Sequence, residues 1–241
     1  MKVAICFSGQ CRALESTYLN LKQNLIDPLN ADVFVYASED DYSKLNKDCL
    51  DFFEPKLMAV VPDVKIKEEG LEAHPLQRSL QEYIQMLNSW QQANKLRCFW
   101  EVLTNIHYDY VIRTRLDIRL FEKVTPELLQ TFDVGKYVYV PDFHSFACVR
   151  GFGCNDRFAV GSSENITIYS NMIDDVHQYC SENHTLHAES TLCYHLRRHE
   201  VKYCLAPIRF TRVRPGGIEM DSRLRQPVEQ WSEIDLPFKG E

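Results

Sequence analysis

MKVAICFSGQCRALESTYLNLKQNLIDPLNADVFVYASEDDYSKLNKDCLDFFEPKLMAVV, residues 1–61, decides the fold because it switches repeatedly between two periodicities. Residues 2–7 form a short apolar run with the length and content of a strand, and residues 8–12 (SGQCR) make a polar turn around Gly9. Leu14, Tyr18, Leu21 and Leu25 follow at helical spacing, with Pro28 as the expected stop. Residues 32–38 (DVFVYAS) read as a second strand, 42–53 as a helix ended by Pro55, and 56–61 (KLMAVV) as a third strand. This is βαβαβ. Continuous apolar strands joined by crossover helices imply a mostly parallel sheet covered on both faces, an α/β Rossmann-like fold.

Downstream, residues 75–106 read as one long helix. Its stripe runs Leu76, Leu80, Tyr83, Leu87, Trp90 and continues to Phe99, Leu103 and Ile106. Residues 108–120 (YDYVIRTRLDIRL) are a fourth strand running into a loop. Expected next are a helix at 126–132, a strand at 136–141, a mobile glycine-rich loop at 151–156 and a strand at 157–161. Helices at 163–180 and 188–199, a strand at 201–205 and an arginine-rich tail complete the chain. No linker or repeat interrupts it, so residues 1–241 are expected to form one domain.

Composition narrows the function. The chain has 27 basic and 34 acidic residues, a formal charge of −7, which disfavours nucleic acid as the main partner. Apolar residues at 45% and charged residues at 25% are ordinary for a globular protein. The apolar run at 3–7 is too short for a secretory leader, and no segment approaches a transmembrane span, so a cytoplasmic location is expected. Nine cysteines without a CxxC pair read as scattered reduced thiols.

The chemistry concentrates on the fourth strand. Side chains of a strand alternate faces, so Arg113, Arg115 and Asp117 point one way and Ile112, Thr114 and Leu116 the other. Charges on a central strand are costly unless paired with one another or with a ligand. In open α/β sheets, ligands sit outside the carboxyl ends of strands, where these residues lie. Arginine suits phosphate, and an aspartate there can hold a divalent cation against a diphosphate. An internal Arg–Asp pair is the alternative. The turn after the first strand offers Ser8, Gly9, Gln10 and Arg12 to a nucleotide, with free N–H groups at a helix start; a plain βα turn explains it equally well.

FSGQCR, DVFVYAS, YDYVIRTRLDIRL, CNDRFAVGSSENITIY and AESTLCYHL together resemble glycosyltransferases of the GT-A fold, in particular WavE-type polysaccharide-synthesis transferases of bacteria and large DNA viruses. The resemblance runs over about residues 1–205. It implies a nucleotide-binding half (1–120), an acceptor-binding half with a C-terminal tail (121–241), a UDP- or GDP-sugar donor and a glycan acceptor. Asp117 matches the last position of the family's Asp-x-Asp motif, which implies a Mn²⁺ or Mg²⁺ ligand. Arg115 stands where the first acid is usual, a departure that puts metal dependence in question. The resemblance sets the segment of Asn155 and Asp156 beside donor sugar and acceptor, where Asp156 can bind sugar hydroxyls; Asn or Asp in a plain turn is the alternative. An inverting transferase needs a base, and Glu189, with His187 two residues earlier, is the candidate, Asp156 competing for that role; an acidic residue that only favours the helix dipole is the alternative for Glu189. Inversion is the stereochemistry such a base suggests. The late arginines Arg209, Arg212 and Arg214 either close over the diphosphate or form a solvated face. Rival readings are a sugar-nucleotide nucleotidyltransferase and a nucleotide-sugar-binding module without activity.

Overall fold

The computed structural model describes residues 1–39, 44–62, 65–66, 69–75, 77, 79–144, 153–182, 184–221 and 225. Its elements are β1 (Val3–Gly9), α1 (Leu14–Leu21), a π turn (Lys22–Ile26), α2 (Asp27–Leu29), β2 (Asp32–Ser38), α3 (Lys44–Asp51) and β3 (Leu57–Val61). There follow α4 (Leu80–Thr104), β4 (Tyr110–Arg115), β5 (Ile118–Leu120), α5 (Pro126–Gln130), β6 (Tyr137–Pro141), β7 (Phe158–Gly161) and α6 (Ser163–Ser170). A 3₁₀ turn (Met172–Asp175), α7 (Val176–Ser181), α8 (Ala188–Arg198), β8 (Lys202–Ala206), β9 (Phe210–Arg214) and β10 (Ile218–Glu219) complete the order.

Seven strands form one sheet in the order β3-β2-β1-β4-β7-β6-β8. β1 pairs parallel with β2 and β4, β2 with β3, and β6 with β8, whereas β7 runs antiparallel between β4 and β6. The fold is thus α/β and Rossmann-like, with a mostly parallel sheet flanked by helices. Alternate residues of each strand feed opposite cores. Val3, Ile5, Phe7, Val33 and Ile112 pack with Leu14, Leu21 and Leu25 of the α1 side, while Ala4, Cys6, Phe34 and Val111 pack with Tyr83, Leu87 and Trp90 of α4. Burial on both faces is why these strands read as unbroken apolar runs.

Several details depart from the sequence reading. Helix continues past Pro28 to Leu29, where Asn30 ends it in the left-handed conformation. Proline cannot donate to the Asn24 carbonyl four residues back; that carbonyl instead accepts from the Val124 N–H at 2.8 Å, and a π turn absorbs the mismatch. The apolar stripe of α4 does not extend as expected. Phe99 and Leu103 are 60% and 63% exposed, and the buried face is completed by Asn94 and Arg97. Arg97 is tolerated there because Asn94, Glu101, Ser163 and Thr167 accept its N–H groups. The single helix expected at 163–180 is three pieces, and the expected tail contains a strand, β9. Leu76, Cys148, Gly151 and Phe152 lie outside the described residues, and so does part of the segment expected to begin the helix at residue 42.

The fourth strand also divides. β4 ends at Arg115, and the chain turns at Leu116–Asp117 before β5 enters a second sheet, ordered β10-β9-β5. The carbonyls released by the break are satisfied: Thr17 Oγ1 donates to Leu116 O at 2.7 Å, and the Val213 N–H donates to Asp117 O at 2.8 Å. Asn20 exchanges two hydrogen bonds with the Leu120 backbone. Through these bonds α1, the end of β4 and the small sheet meet at one edge of the large one. No helix among the described residues is long and apolar enough to cross a membrane.

Candidate functional site

A cleft of about 900 Å³ opens at that edge. The carboxyl ends of the parallel strands form its floor, with Ser8 and Gly9 from β1, Ser38 from β2, Val61 from β3 and Arg115 from β4. The first turns of α4 supply one wall through Ser79, Glu82, Tyr83 and Met86; the opposite side comes from Asp156, Arg157, His187, Glu189, Arg212 and Arg214. Of the residues singled out from sequence, Ser8, Gly9, Gln10, Arg12, Arg113, Arg115, Asp117, Asp156 and Glu189 all line this one space.

Gly9 ends β1 with φ at +108°, a conformation that L side chains rarely adopt, and turns the chain toward α1. Beside it Arg12 reaches Asp117. Asp117 is only 3% exposed, and both its oxygens are taken. Arg115 Nε lies 2.6 Å from Oδ1 and Arg115 Nη2 2.8 Å from Oδ2, a bidentate pair, while Arg12 Nη2 lies 3.3 Å from Oδ2. Burial alone would raise the Asp117 pKa, but the Arg115 and Arg12 guanidiniums outweigh it and hold the carboxyl well below the usual carboxylate range. The internal Arg–Asp pair foreseen as an alternative is therefore present, and it sits in the cleft wall.

Arg113 takes a different position from its neighbour. It is buried, its guanidinium carbon lies 3.7 Å from the centre of the Trp90 ring, and Nη1 donates to the Asp156 carbonyl. Burial lowers its pKa to about 10, so the charge persists at neutral pH. Arg113 thereby ties β4 to the segment that presents Asp156. Asn155, next to it, holds the turn: its side chain donates to Phe143 O at 2.8 Å and accepts from Arg157 N at 2.9 Å.

Glu189 lies in the first turn of α8 and is 6% exposed. Burial, and then the negative charge of Asp156, push its pKa up to about 8, with Arg157 opposing. His187 Nδ1 lies 3.4 Å from Glu189 Oε2, and burial holds the His187 pKa below its usual value. A carboxyl group poised near neutral pH beside a second carboxylate is suited to proton transfer.

Sequence reasoning gave no role to Arg157 and left Arg212 and Arg214 undecided. Arg157 is buried at the entry to β7 and directly follows Asp156, and that adjacency was the available signal. Arg212 and Arg214 reach the cleft because β9 pairs with β5, Ile118 opposite Arg212. Arg209 does not line the cleft; its Nη2 lies 3.5 Å from Asp142. Among the described residues, six arginines and four acidic residues line the space. With Glu189 protonated, that leaves three more positive than negative charges, inside a chain whose formal charge is −7. Ser8 Oγ, Arg12 Nε, Arg113 Nε and Arg157 Nη1 are buried with no partner among the described residues, which is unusual unless a ligand or water completes them.

A second cluster of ligating side chains, Asp175, His195 and His199, lies outside the cleft. The described cysteines are all free.

No curated protein matches the chain. The model of one protein family, described as a domain of unknown function (DUF7796), matches residues 1–215, which include every cleft residue named above, and the chain belongs to that family.

Proposed function

We propose that the chain is a glycosyltransferase moving a sugar from a nucleoside-diphosphate-sugar to a hydroxyl of a glycan acceptor. The observation that carries this reading is one cleft whose described lining combines a surplus of arginine charge with a high-pKa carboxyl, Glu189. A base and ribose fit the polar turn Ser8–Gly9–Gln10 and the ends of β2 and β3, where Rossmann-like folds bind nucleotides. Arg12, Arg115, Arg212 and Arg214 surround the place a diphosphate would take. As the glycosidic bond breaks, negative charge grows on the departing diphosphate, and fixed guanidiniums stabilise it. Glu189, once deprotonated, accepts the proton of the attacking hydroxyl, and Asp156 holds sugar hydroxyls. The sheet order, with an antiparallel strand beside β4, is compatible with the GT-A likeness of the sequence.

A Mn²⁺ or Mg²⁺ ion is the usual partner of a GT-A diphosphate. Here the matching carboxylate, Asp117, already accepts from Arg115 through both oxygens and from Arg12 through one, a poor donor set for a hard cation. The arginines carry the charge in the mechanism drawn here. A second reading, a nucleotide-sugar-binding module without turnover, draws on the same occupied carboxylate.

The test has two arms. A thermal-shift panel of UDP- and GDP-sugars and their nucleoside diphosphates, with and without Mn²⁺, is expected to raise Tm for at least one nucleotide. If none does, the reading fails. Release of nucleoside diphosphate in the presence of glycan acceptors then separates a transferase from a binding module, and Glu189→Gln should abolish release while preserving the Tm shift.

A further inference from the structure

His195 lies in the last turn of α8 and His199, four residues on, caps the helix; both face the 3₁₀ turn that Asp175 ends. Asp175 Oδ2 lies 2.8 Å from His195 Nδ1 and 2.9 Å from His199 Nε2. The second nitrogen of His195, Nε2, lies 2.6 Å from the Ile168 carbonyl. A carbonyl only accepts, so Nε2 carries a proton. In the neutral ring Nδ1 is then a bare lone pair, aimed at a carboxylate oxygen that also only accepts. Two acceptors do not rest at 2.8 Å without a proton or a cation between them. That centre is either a second proton on His195 or a metal ion.

The geometry favours a cation in three respects. The three ligand atoms lie within 4.8 Å of one another, and because tetrahedral ligands about 2.1 Å from one ion lie about 3.4 Å apart, the contacts of 2.8 and 2.9 Å need open by only roughly half an ångström to admit one. The Ile168 carbonyl fixes the His195 tautomer that leaves Nδ1 free to ligate, the outer support that metal-bound histidines ordinarily have. Arg198 Nε, 3.6 Å from Asp175 Oδ1, faces the other oxygen of the carboxylate and leaves Oδ2 to the imidazoles. His195 is buried and His199 is 41% exposed, so the cluster is rooted in the fold and open on one side. Two imidazole nitrogens and one carboxylate suit zinc and its neighbours rather than calcium or magnesium.

We propose that Asp175, His195 and His199 bind a zinc-type divalent transition-metal cation, with three protein ligands and a fourth position open to solvent. The site lies outside the cleft and is independent of the transferase reading. Its cation clamps the C-terminal end of α8, the helix with Glu189 in its first turn, to the turn after α6.

The experiment uses the full chain, stripped with chelator and titrated with Co²⁺ and then Zn²⁺, followed by absorption, calorimetry and thermal melting. The expected result is one equivalent bound, with cobalt d–d bands, no sulfur-to-metal charge-transfer band, and a higher Tm. The absence of that band separates this site from the cysteines. His199→Ala alters an exposed ligand, and folding is checked by circular dichroism; it should weaken binding at least about tenfold, as should Asp175→Asn. The proposal is overturned if the wild type binds no stoichiometric cation, which would leave a doubly protonated His195 as the positive centre. Unchanged affinity in His199→Ala, or a sulfur charge-transfer band at the first equivalent, would overturn it equally.

Discussion

Replacing Glu189 with glutamine exchanges a titrating carboxyl for a neutral group of the same shape, and the consequence for stability follows from its pKa. Burial and Asp156 place that pKa at about 8 in the folded chain, against an ordinary value of 4.5. Between these values the folded chain keeps a proton that the unfolded chain has released. The wild type therefore loses stability as pH rises through the window, and the glutamine variant has no such loss. Each pH unit inside the window is worth about 1.4 kcal/mol, so from pH 4.5 to 7 the wild type should fall by roughly 3 kcal/mol relative to Glu189→Gln. For a chain of this size that corresponds to roughly 6–12 °C in Tm.

The assay is thermal melting of both proteins between pH 4.5 and 8, read as the difference in Tm at each pH. Other carboxylates cancel in that difference because both proteins share them. The difference should grow in favour of the variant as pH rises and level off near pH 8. A difference that stays constant across the range, or grows in favour of the wild type, would refute the burial argument for Glu189 and with it the case for this residue as the proton acceptor.

Asp117→Asn leaves Arg115 and Arg12 facing an uncharged partner in a buried wall, and should lower stability by about 3 kcal/mol, measured by urea unfolding. Arg214→Ala should weaken nucleoside-diphosphate binding about tenfold, with steeper loss at low salt, because it removes one charge-assisted contact; calorimetry at two ionic strengths checks it. Gly9→Ala meets no neighbouring atom within 4 Å but forces a side chain into φ +108°, and should cost about 1–2 kcal/mol without disturbing the cleft otherwise. Sugar-transfer rate at low substrate should rise with pH toward about 8 as Glu189 loses its proton, a profile absent from Glu189→Gln.

The parallel half was legible because its signals are local. β2 spans the residues expected for it, Asp32–Ser38, since an apolar run between polar turns leaves little choice of boundary. What escaped depends on partners distant in sequence. Nothing near Pro28 reveals that Val124 will satisfy the Asn24 carbonyl, and nothing near Phe99 reveals that the core wall at that level is built from Arg97 and Ser163. The cleft residues of the first and fourth strands are found by chemical type at strand ends, a positional rule of the fold, whereas Asp156 and Glu189 enter through the family resemblance. Arg212 and Arg214 were not placed, because β9 has no meaning until it pairs with β5 across some ninety residues.

That pairing explains why charge gathers where it does. Had β4 continued straight through Asp117, the aspartate would have remained in the ladder of the large sheet. The turn at Leu116–Asp117 instead frees the Asp117 carbonyl for Val213 and directs its carboxylate to Arg115 and Arg12. The bond to Val213 lies between Arg212 and Arg214, so the contact that seats the small sheet also delivers both arginines to the cleft. Asp117 thus acts through its backbone as the anchor of β9 and through its side chain as the counter-charge that lets guanidiniums crowd together. Like-charged groups repel strongly in a partly buried wall, and the repulsion is visible in Arg214, whose pKa is lowered by burial first and by Arg12 next. An incoming diphosphate would relieve that repulsion, which makes the arginine wall a better fit to a dianion than to the neutral sugar alone.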